Sequence, residues 1–147
     1  MRVLFATLSL SDEPLGIMYV STVLKKLGHT VRGVFINRED FNKVVEDFKP
    51  DLIGYSGMDC ERVPILKANE AVKKKNKNIF SLIGGPLGTF SPDTIKDKYV
   101  DAVCQGEAEE AMPELIDGLE NRKDISGILN FSIKVNGKIF VNKVRPV

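Results

Sequence analysis

Residues 79–86 read Ile-Phe-Ser-Leu-Ile-Gly-Gly-Pro, a short apolar run that ends in two glycines and a proline. Runs of this kind are typical of strands that are buried on both faces of a parallel sheet. Similar runs occur at residues 2–8, 30–36, 52–55 and 100–104. Segments with helical spacing of apolar residues separate them, so the pattern predicts five alternating strands and helices.

The segments between the runs predict the helices. They cover residues 17–27, 41–48 and 62–75, a short stretch that begins at Ser91-Pro92 with Ser91 as N-cap, and a stretch that begins at Gly106. Glu107, Glu109 and Glu110 would then occupy the first turn of the last helix, where negative charge suits the helix dipole. The run Lys73-Lys74-Lys75 with Lys77 is predicted to be a solvated helix end.

The fold class that follows is α/β, a doubly wound five-stranded parallel sheet of the flavodoxin-like order 2-1-3-4-5. Alternating apolar residues on either side of Asn136-Gly137 predict a β-hairpin after this core, because that dipeptide favours a type I′ turn. We therefore expect one domain over residues 1–147. Its doubly wound core covers 1–122, and 123–147 hold the hairpin and the start of a linker.

Composition excludes several classes of function. The 147 residues are 43% hydrophobic, and 21 Lys and Arg against 20 Asp and Glu give a net charge of +1. Such a balance argues against a nucleic-acid partner. No apolar run approaches the roughly 18 residues that span a bilayer, and no signal-peptide pattern is present, so we expect no membrane partner and a cytoplasmic location.

The scarcity of cysteine and histidine excludes further chemistry. Cys60 and Cys104 belong to no Cys-x-x-Cys pair, which argues against structural zinc, a thioredoxin-type motif or an iron–sulfur cluster held by this chain alone. Both are predicted to be buried structural thiols. His29 is the one histidine, and it precedes the second predicted strand, at the edge opposite the ligand crevice of such folds.

Nucleotide motifs are also absent. The chain has neither a P-loop nor a Gly-x-Gly-x-x-Gly after the first strand. A phospho-receiver domain shares the topology, and Asp12-Glu13 with Asp59 could imitate its acidic residues. A phospho-receiver domain also needs a lysine at the end of the fifth strand. This sequence has Gln105 there, which argues against a receiver function. A cofactor-free flavodoxin-like or receiver-like module for signalling or subunit contact stays open as the alternative.

The loops that leave the carboxyl ends of the strands are the candidate ligand site, because open α/β sheets bind ligands at that edge. They cover residues 9–16, 56–61, 84–91 and 105–107. Glycines cluster in them, and a glycine backbone can approach a flat ligand closely.

Five short sequence motifs, taken together, resemble those of one known family. They are Pro14-Leu15-Gly16, Leu27-Gly28-His29-Thr30-Val31, Ser56-Gly57-Met58, Gly84-Gly85-Pro86 followed by Thr89 and Ser91-Pro92, and residues 101–111 with Gln105-Gly106-Glu107 at their centre. In this order and spacing the chain is similar to the N-terminal cobalamin-binding domain of B12-dependent radical SAM proteins. That group includes methyltransferases and proteins like the anaerobic magnesium-protoporphyrin IX monomethyl ester oxidative cyclase.

The resemblance implies cobalamin as cofactor, with the corrin ring on the carboxyl edge of the sheet and the benzimidazole tail in a slot beside the central strands. It implies that residues 10–16 lie under the corrin and that Ser56 faces the tail. Gly84 and Gly85 would lie against the tail, and Gly106 and Glu107 would border the nucleotide. The implied cofactor-binding residues are Leu10, Ser11, Pro14, Leu15, Gly16, Ser56, Gly57, Met58, Gly84, Gly85, Pro86, Thr89, Gly106 and Glu107; no catalytic or metal-ligating residue is implied.

Two departures from related patterns shape this expectation. Cobalamin domains similar to methionine synthase carry a histidine in the first loop, and residues 9–16 have none, so binding is expected to be base-off with no protein histidine on cobalt. Leu87 stands where the radical SAM proteins often have histidine.

The chain has no Cys-x-x-x-Cys-x-x-Cys motif, so alone it is expected to bind a cofactor and catalyse nothing. An iron–sulfur cluster, S-adenosylmethionine and a radical SAM barrel would belong to the missing part of a longer parent enzyme. The linker-like end at Arg145-Pro146-Val147 favours a fragment.

Overall fold

The computed structural model describes residues 1–8 and 14–146. Within them the chain forms seven strands and five α-helices. The strands are β1 (Arg2–Thr7), β2 (Thr30–Phe35), β3 (Leu52–Ser56), β4 (Phe80–Gly84), β5 (Ala102–Cys104), β6 (Phe131–Val135) and β7 (Lys138–Val141). The helices are α1 (Leu15–Lys26), α2 (Phe41–Phe48), α3 (Arg62–Lys75), α4 (Gly85–Phe90) and α5 (Ala111–Glu120). Short 3₁₀ segments cover Asp59–Glu61 and Pro92–Lys96.

All described strands belong to one sheet of order β2-β1-β3-β4-β5-β6-β7. The first five are parallel, which confirms the doubly wound order, and β6 and β7 run antiparallel. Asn136 and Gly137 both have positive φ, as a type I′ turn requires. The predicted hairpin is therefore present, and pairing of Cys104 with Phe131 makes it a continuation of the sheet.

Two apolar layers cover the two faces of the sheet. One contains residues of α2 and α3, such as Phe41, Phe48 and Ile65. The other contains residues of α1 and α5 together with Phe131 and Ile133 of the hairpin, both without exposed surface. The hairpin thus completes the layer in which α1 and α5 pack.

Two helix starts differ from the sequence-based expectation. α4 begins at Gly85, which directly follows β4 and has φ of +67°. The segment expected to be a loop is therefore helical, and Pro86 lies in its first turn. Ser91 makes no side-chain cap and instead donates its hydroxyl to Asp59 Oδ1 at 2.6 Å. The last helix begins at Ala111 and not at Gly106, whose φ of +74° is not helical.

The lysine run is also not wholly solvated. Lys73 is buried, and its Nζ contacts Asp101 Oδ2 at 2.6 Å and the carbonyl oxygens of Lys77 and Ile79. The prediction was wrong for this one lysine because α3 ends beside the amino ends of β4 and β5. A lysine ammonium group at this place can donate hydrogen bonds to the carbonyl oxygens next to the strands.

Among the described residues, none of the helices combines the length and the apolarity needed to cross a membrane.

Candidate functional site

A cleft of about 680 Å³ lies at the carboxyl edge of the sheet. The ends of β1, β3, β4 and β5 form its floor, and the start of α1, α4 and residues 106–109 form its walls. Twelve of the predicted site residues line it: Pro14, Leu15, Gly16, Ser56, Gly57, Met58, Gly84, Gly85, Pro86, Thr89, Gly106 and Glu107. Leu10 and Ser11 lie outside the described residues.

The loop after β3 is held in place from two sides. The Met58 amide donates to Glu61 Oε2 at 2.6 Å, and the Leu87 amide of α4 donates to the Gly57 carbonyl at 2.7 Å. A Cβ at Gly57 would lie 2.6 Å from Ile65 Cδ1. A side chain at this position would therefore displace the end of the buried Ile65 side chain beneath the loop.

Leu87, the residue that departs from the related pattern, does not line the cleft. Its side chain is fully buried in the layer with α2 and α3. Its backbone joins α4 to the loop after β3, so the role of this residue in the structure is packing.

The two glycines after β4 differ in the atoms that surround them. A Cβ at Gly84 would meet no atom closer than 3.9 Å. At Gly85 it would lie 2.4 Å from Ser56 Oγ, and the positive φ of this residue disfavours any side chain. Gly84 thus leaves room for a Cβ in ordinary van der Waals contact, whereas Gly85 lets the start of α4 touch the end of β3.

The loop after β5 is fastened to α4 and to the hairpin. The Gly106 amide donates to Thr89 Oγ1 at 3.0 Å. Asn130, which precedes β6 with φ of +73°, donates its side-chain amide to the Glu107 carbonyl at 2.7 Å and accepts from the Arg145 amide at 2.8 Å. The position of this wall therefore depends on residues beyond the doubly wound core.

The deep part of the cleft is formed by residues that the sequence analysis missed. Phe5, Gly54, Leu82 and Cys104 supply the floor from four neighbouring strands. A Cβ at Gly54 would lie 2.8 Å from the Phe5 ring. A glycine in the middle of a strand often marks such a close approach, and that signal could have identified Gly54.

The two cysteines differ. Cys104 is buried, as predicted, and burial raises the pKa of its thiol to about 12, with a smaller contribution from the charge of Glu109. Cys60 is exposed, so its predicted burial was wrong. It lies in the 3₁₀ segment between the loop after β3 and α3.

Two cleft-lining residues carry a buried polar atom that has no hydrogen-bond partner among the residues that the structure describes. They are the hydroxyl of Tyr55 and Oε2 of Glu109. Burial raises the pKa of the Tyr55 phenol. Because buried polar atoms in folded proteins are normally hydrogen-bonded, both atoms need an explanation.

His29 lies at the opposite edge of the sheet. Its amide donates to the Leu24 carbonyl at 3.1 Å, and its Nδ1 is 3.2 Å from the amino group of Met1. Thr30, the next residue, pairs with Arg2 at the start of β1. His29 is therefore a turn residue, as expected, and is separated from the cleft by the length of β1.

Comparison with known proteins gives one family and several relatives. The family model described as B12 binding domain matches residues 1–116. An uncharacterized methyltransferase of Pyrococcus horikoshii is 31% identical over 144 residues, which is 93% of this chain and 31% of that protein. The anaerobic magnesium-protoporphyrin IX monomethyl ester cyclase of Rubrivivax gelatinosus is 24% identical over 148 residues, 90% of this chain and 26% of that protein.

Among solved structures, the cobalamin-dependent S-adenosylmethionine radical enzyme OxsB, with aqua-cobalamin and S-adenosylmethionine bound, superimposes with a TM-score of 0.82 at 18% identity. The superposition covers 99% of this chain and 22% of that one. At this identity the likeness concerns the fold. The chain spans less than a third of the length of each of these three proteins.

Proposed function

The chain belongs to the B12-binding domain family, and we propose on that premise that the cleft at the carboxyl edge of its sheet binds cobalamin. The observation that carries the proposal is the cleft of about 680 Å³, which Gly84 lines without a side chain. It has an apolar floor made by Phe5 and Leu82, and mid-strand Gly54 contributes no side chain to it.

A flat aromatic group fits such a floor. Burial of roughly 200 Å² of benzimidazole surface, at about 25 cal/mol/Å², contributes about 5 kcal/mol to binding. In this proposal Ser56, Gly84 and Gly85 border the tail, and residues 10–16 lie beneath the corrin. Gly106 and Glu107 border the nucleotide, Met58 and Pro86 stand at the mouth, and Thr89 holds the Gly106 amide.

We propose further that cobalamin is bound base-off and that no histidine of this chain reaches cobalt. The sequence contains one histidine, and its place at the amino edge of the sheet supports this assignment. The lower face of the corrin would then meet the segment that leads into α1.

The remaining expectations concern a longer parent protein. The small share of the relatives' length that this chain matches supports a parent with a radical SAM barrel, an iron–sulfur cluster and S-adenosylmethionine in its other part. Bound cobalamin would supply methyl transfer or assistance to a radical oxidation. Residues 1–147 would form a single cofactor-holding domain, with core 1–122 and hairpin and linker 123–147, and no catalytic residue of its own.

Reconstitution with hydroxocobalamin tests the proposal. After removal of excess ligand, we expect the protein to retain cobalamin with a base-off absorption spectrum. His29→Ala is the control, because loss of a residue at the opposite edge leaves that spectrum unchanged. Protein that stays colourless after repeated reconstitution contradicts the proposal and favours the cofactor-free module. A base-on spectrum contradicts the base-off assignment alone.

A further inference from the structure

We propose that Glu109 is a ligand-binding residue of the cleft, where its Oε2 accepts a hydrogen bond from an N–H or O–H donor of the bound cofactor. This inference rests on the proposed cobalamin-binding function and adds to it a residue outside the set that the sequence pointed to. It also assigns a partner to a carboxylate oxygen that has none within the described part of the chain.

The first argument is the unmatched oxygen itself. Glu109 lines the cleft between Gly106 and α5, and its Oε2 has no hydrogen-bond partner among the described residues. A carboxylate oxygen is only an acceptor when it is ionised. Leaving it buried and unmatched destabilises a protein, so a donor that arrives with a ligand accounts for its retention.

The second argument is that Arg145, a cation that contacts the adjacent Glu110, is engaged with other groups. Arg145 contacts Glu110 through Nε at 3.5 Å and Glu114 through one terminal nitrogen, and its other terminal nitrogen donates to the Leu129 carbonyl. The two neighbouring acidic residues therefore have a cationic partner. Glu109 lines the cleft, and its Oε2 has no such partner among residues 1–8 and 14–146.

The third argument concerns depth. Cys104 belongs to the floor of the cleft, and the negative charge of Glu109 contributes to the raised pKa of its thiol. The geometric observation is that Oε2 itself is buried, which places this oxygen away from the rim of the cleft. Donors that could reach it are the hydroxyl and amide groups of the nucleotide tail or the carboxamides of the corrin, and the burial of Oε2 favours the tail.

Binding of two ligands to three variants tests the inference. Glu109→Met keeps the length of the side chain and removes the acceptor, and Glu109→Gln keeps one acceptor oxygen without the charge. The matched control is Glu110→Met, which removes the adjacent, exposed carboxylate. We expect Glu109→Met to raise the Kd of hydroxocobalamin roughly 10- to 100-fold, Glu109→Gln to raise it less, and the control to change it less than about 2-fold.

Cobinamide, which lacks the nucleotide tail, identifies the donor. A loss of affinity for hydroxocobalamin but not for cobinamide supports a donor on the tail. An equal loss for both ligands supports a corrin carboxamide and overturns the placement beside the tail. Unchanged affinity of Glu109→Met for both ligands overturns the role of Glu109 altogether.

Urea unfolding without ligand separates binding from a structural role. Because Oε2 is unmatched in the protein alone, Glu109→Met is expected to unfold at the same urea concentration as the wild type or at a higher one. A lower midpoint that accompanies weaker binding overturns the inference in favour of a structural role. Wild-type protein that retains no hydroxocobalamin refutes the proposed function and this inference together, whereas wild-type binding with unaffected Glu109→Met refutes this inference alone.

Discussion

Gly84 and Gly85 are adjacent, yet a side chain would have different consequences at each. Gly84 has extended backbone angles, and a Cβ there would make ordinary van der Waals contacts, so the fold itself would tolerate a side chain. Gly85 has φ of +67°, and a Cβ there would lie 2.4 Å from Ser56 Oγ, so a side chain is strained by both backbone and contact. Substitutions at the two positions can therefore test the proposed ligand binding and the folding separately.

Gly84→Val is expected to weaken hydroxocobalamin binding while the protein remains folded. Three added carbon atoms would occupy the space assigned to the benzimidazole, and loss of about half of its contribution raises the Kd roughly 70-fold. Equilibrium titration followed by absorbance measures the change. Wild-type affinity in Gly84→Val would place the tail elsewhere.

Gly85→Ala serves as the contrasting variant. Here the left-handed conformation costs an L-residue about 1–2 kcal/mol, and contact with Ser56 adds to that cost, so the urea midpoint falls.

At the scale of elements, the end of α3 is joined to the sheet by one buried cation. Lys73 contacts the carbonyl of Ile79 and the carboxylate of Asp101, and Asp101 Oδ2 also accepts from the Ser81 amide at 2.8 Å. Ser81 and Asn69 extend the network through a side-chain hydrogen bond of 2.6 Å. These contacts fasten α3 to β4 and to the residue before β5, below the cleft floor.

Lys73→Met is expected to lower the free energy of unfolding by about 2 kcal/mol or more, because it leaves Asp101 without its cation. Urea denaturation measures the change. Lys74→Met is the matched control. Lys74 is exposed, and within the described part of the chain its ion pair is with Glu70 on the same helix, so the midpoint should equal that of the wild type. Equal effects of the two substitutions would mean that Lys73 is as solvated as the sequence suggested.

At the scale of the whole molecule, the hairpin and the doubly wound core share one sheet and one apolar layer. Phe131 and Ile133 of β6 are buried with Met112 and Leu115 of α5. Asn130 connects the same hairpin to the wall of the cleft through the Glu107 carbonyl. We therefore expect the core and the hairpin to unfold as one cooperative unit.

Phe131→Ala tests this coupling and should cost roughly 3–5 kcal/mol of unfolding free energy, as for other fully buried aromatic side chains. The control is Phe140→Ala on β7, an exposed residue of the same type, for which a cost of about 1 kcal/mol or less is expected. Circular dichroism during urea unfolding measures both. Two separate unfolding transitions, or equal losses of unfolding free energy for Phe131→Ala and Phe140→Ala, would show that the hairpin folds independently of the core.

Much of the fold could be read from local patterns. The apolar runs predicted β1 to β5 and their order, the spacing predicted α3 at residues 62–75, and Asn136-Gly137 predicted the hairpin. The predicted site residues that the structure describes all line one cleft, because carboxyl ends of parallel strands meet at one edge. Whether those residues bind cobalamin stays a prediction for the experiments above.

The remaining features depended on partners distant in the chain. Gly54 differs from an ordinary strand glycine only because Phe5 lies across from it, and Lys73 is buried only because Asp101 is beside it. Glu109 differs from the exposed Glu107 and Glu110 in having a buried oxygen without a donor among the described residues. Such properties belong to pairs of residues and cannot be read from either one alone.

By itself, then, the sequence determined the alternation of strands and helices, the edge at which loops gather, and the absence of a histidine from the loops at that edge. These follow from periodicity and residue chemistry, which act over a few neighbouring positions. Only the tertiary structure decided which glycine leaves space, which lysine is buried and which carboxylate lacks a partner. Those outcomes depend on burial and on contacts between strands and helices, which form when the chain packs against itself.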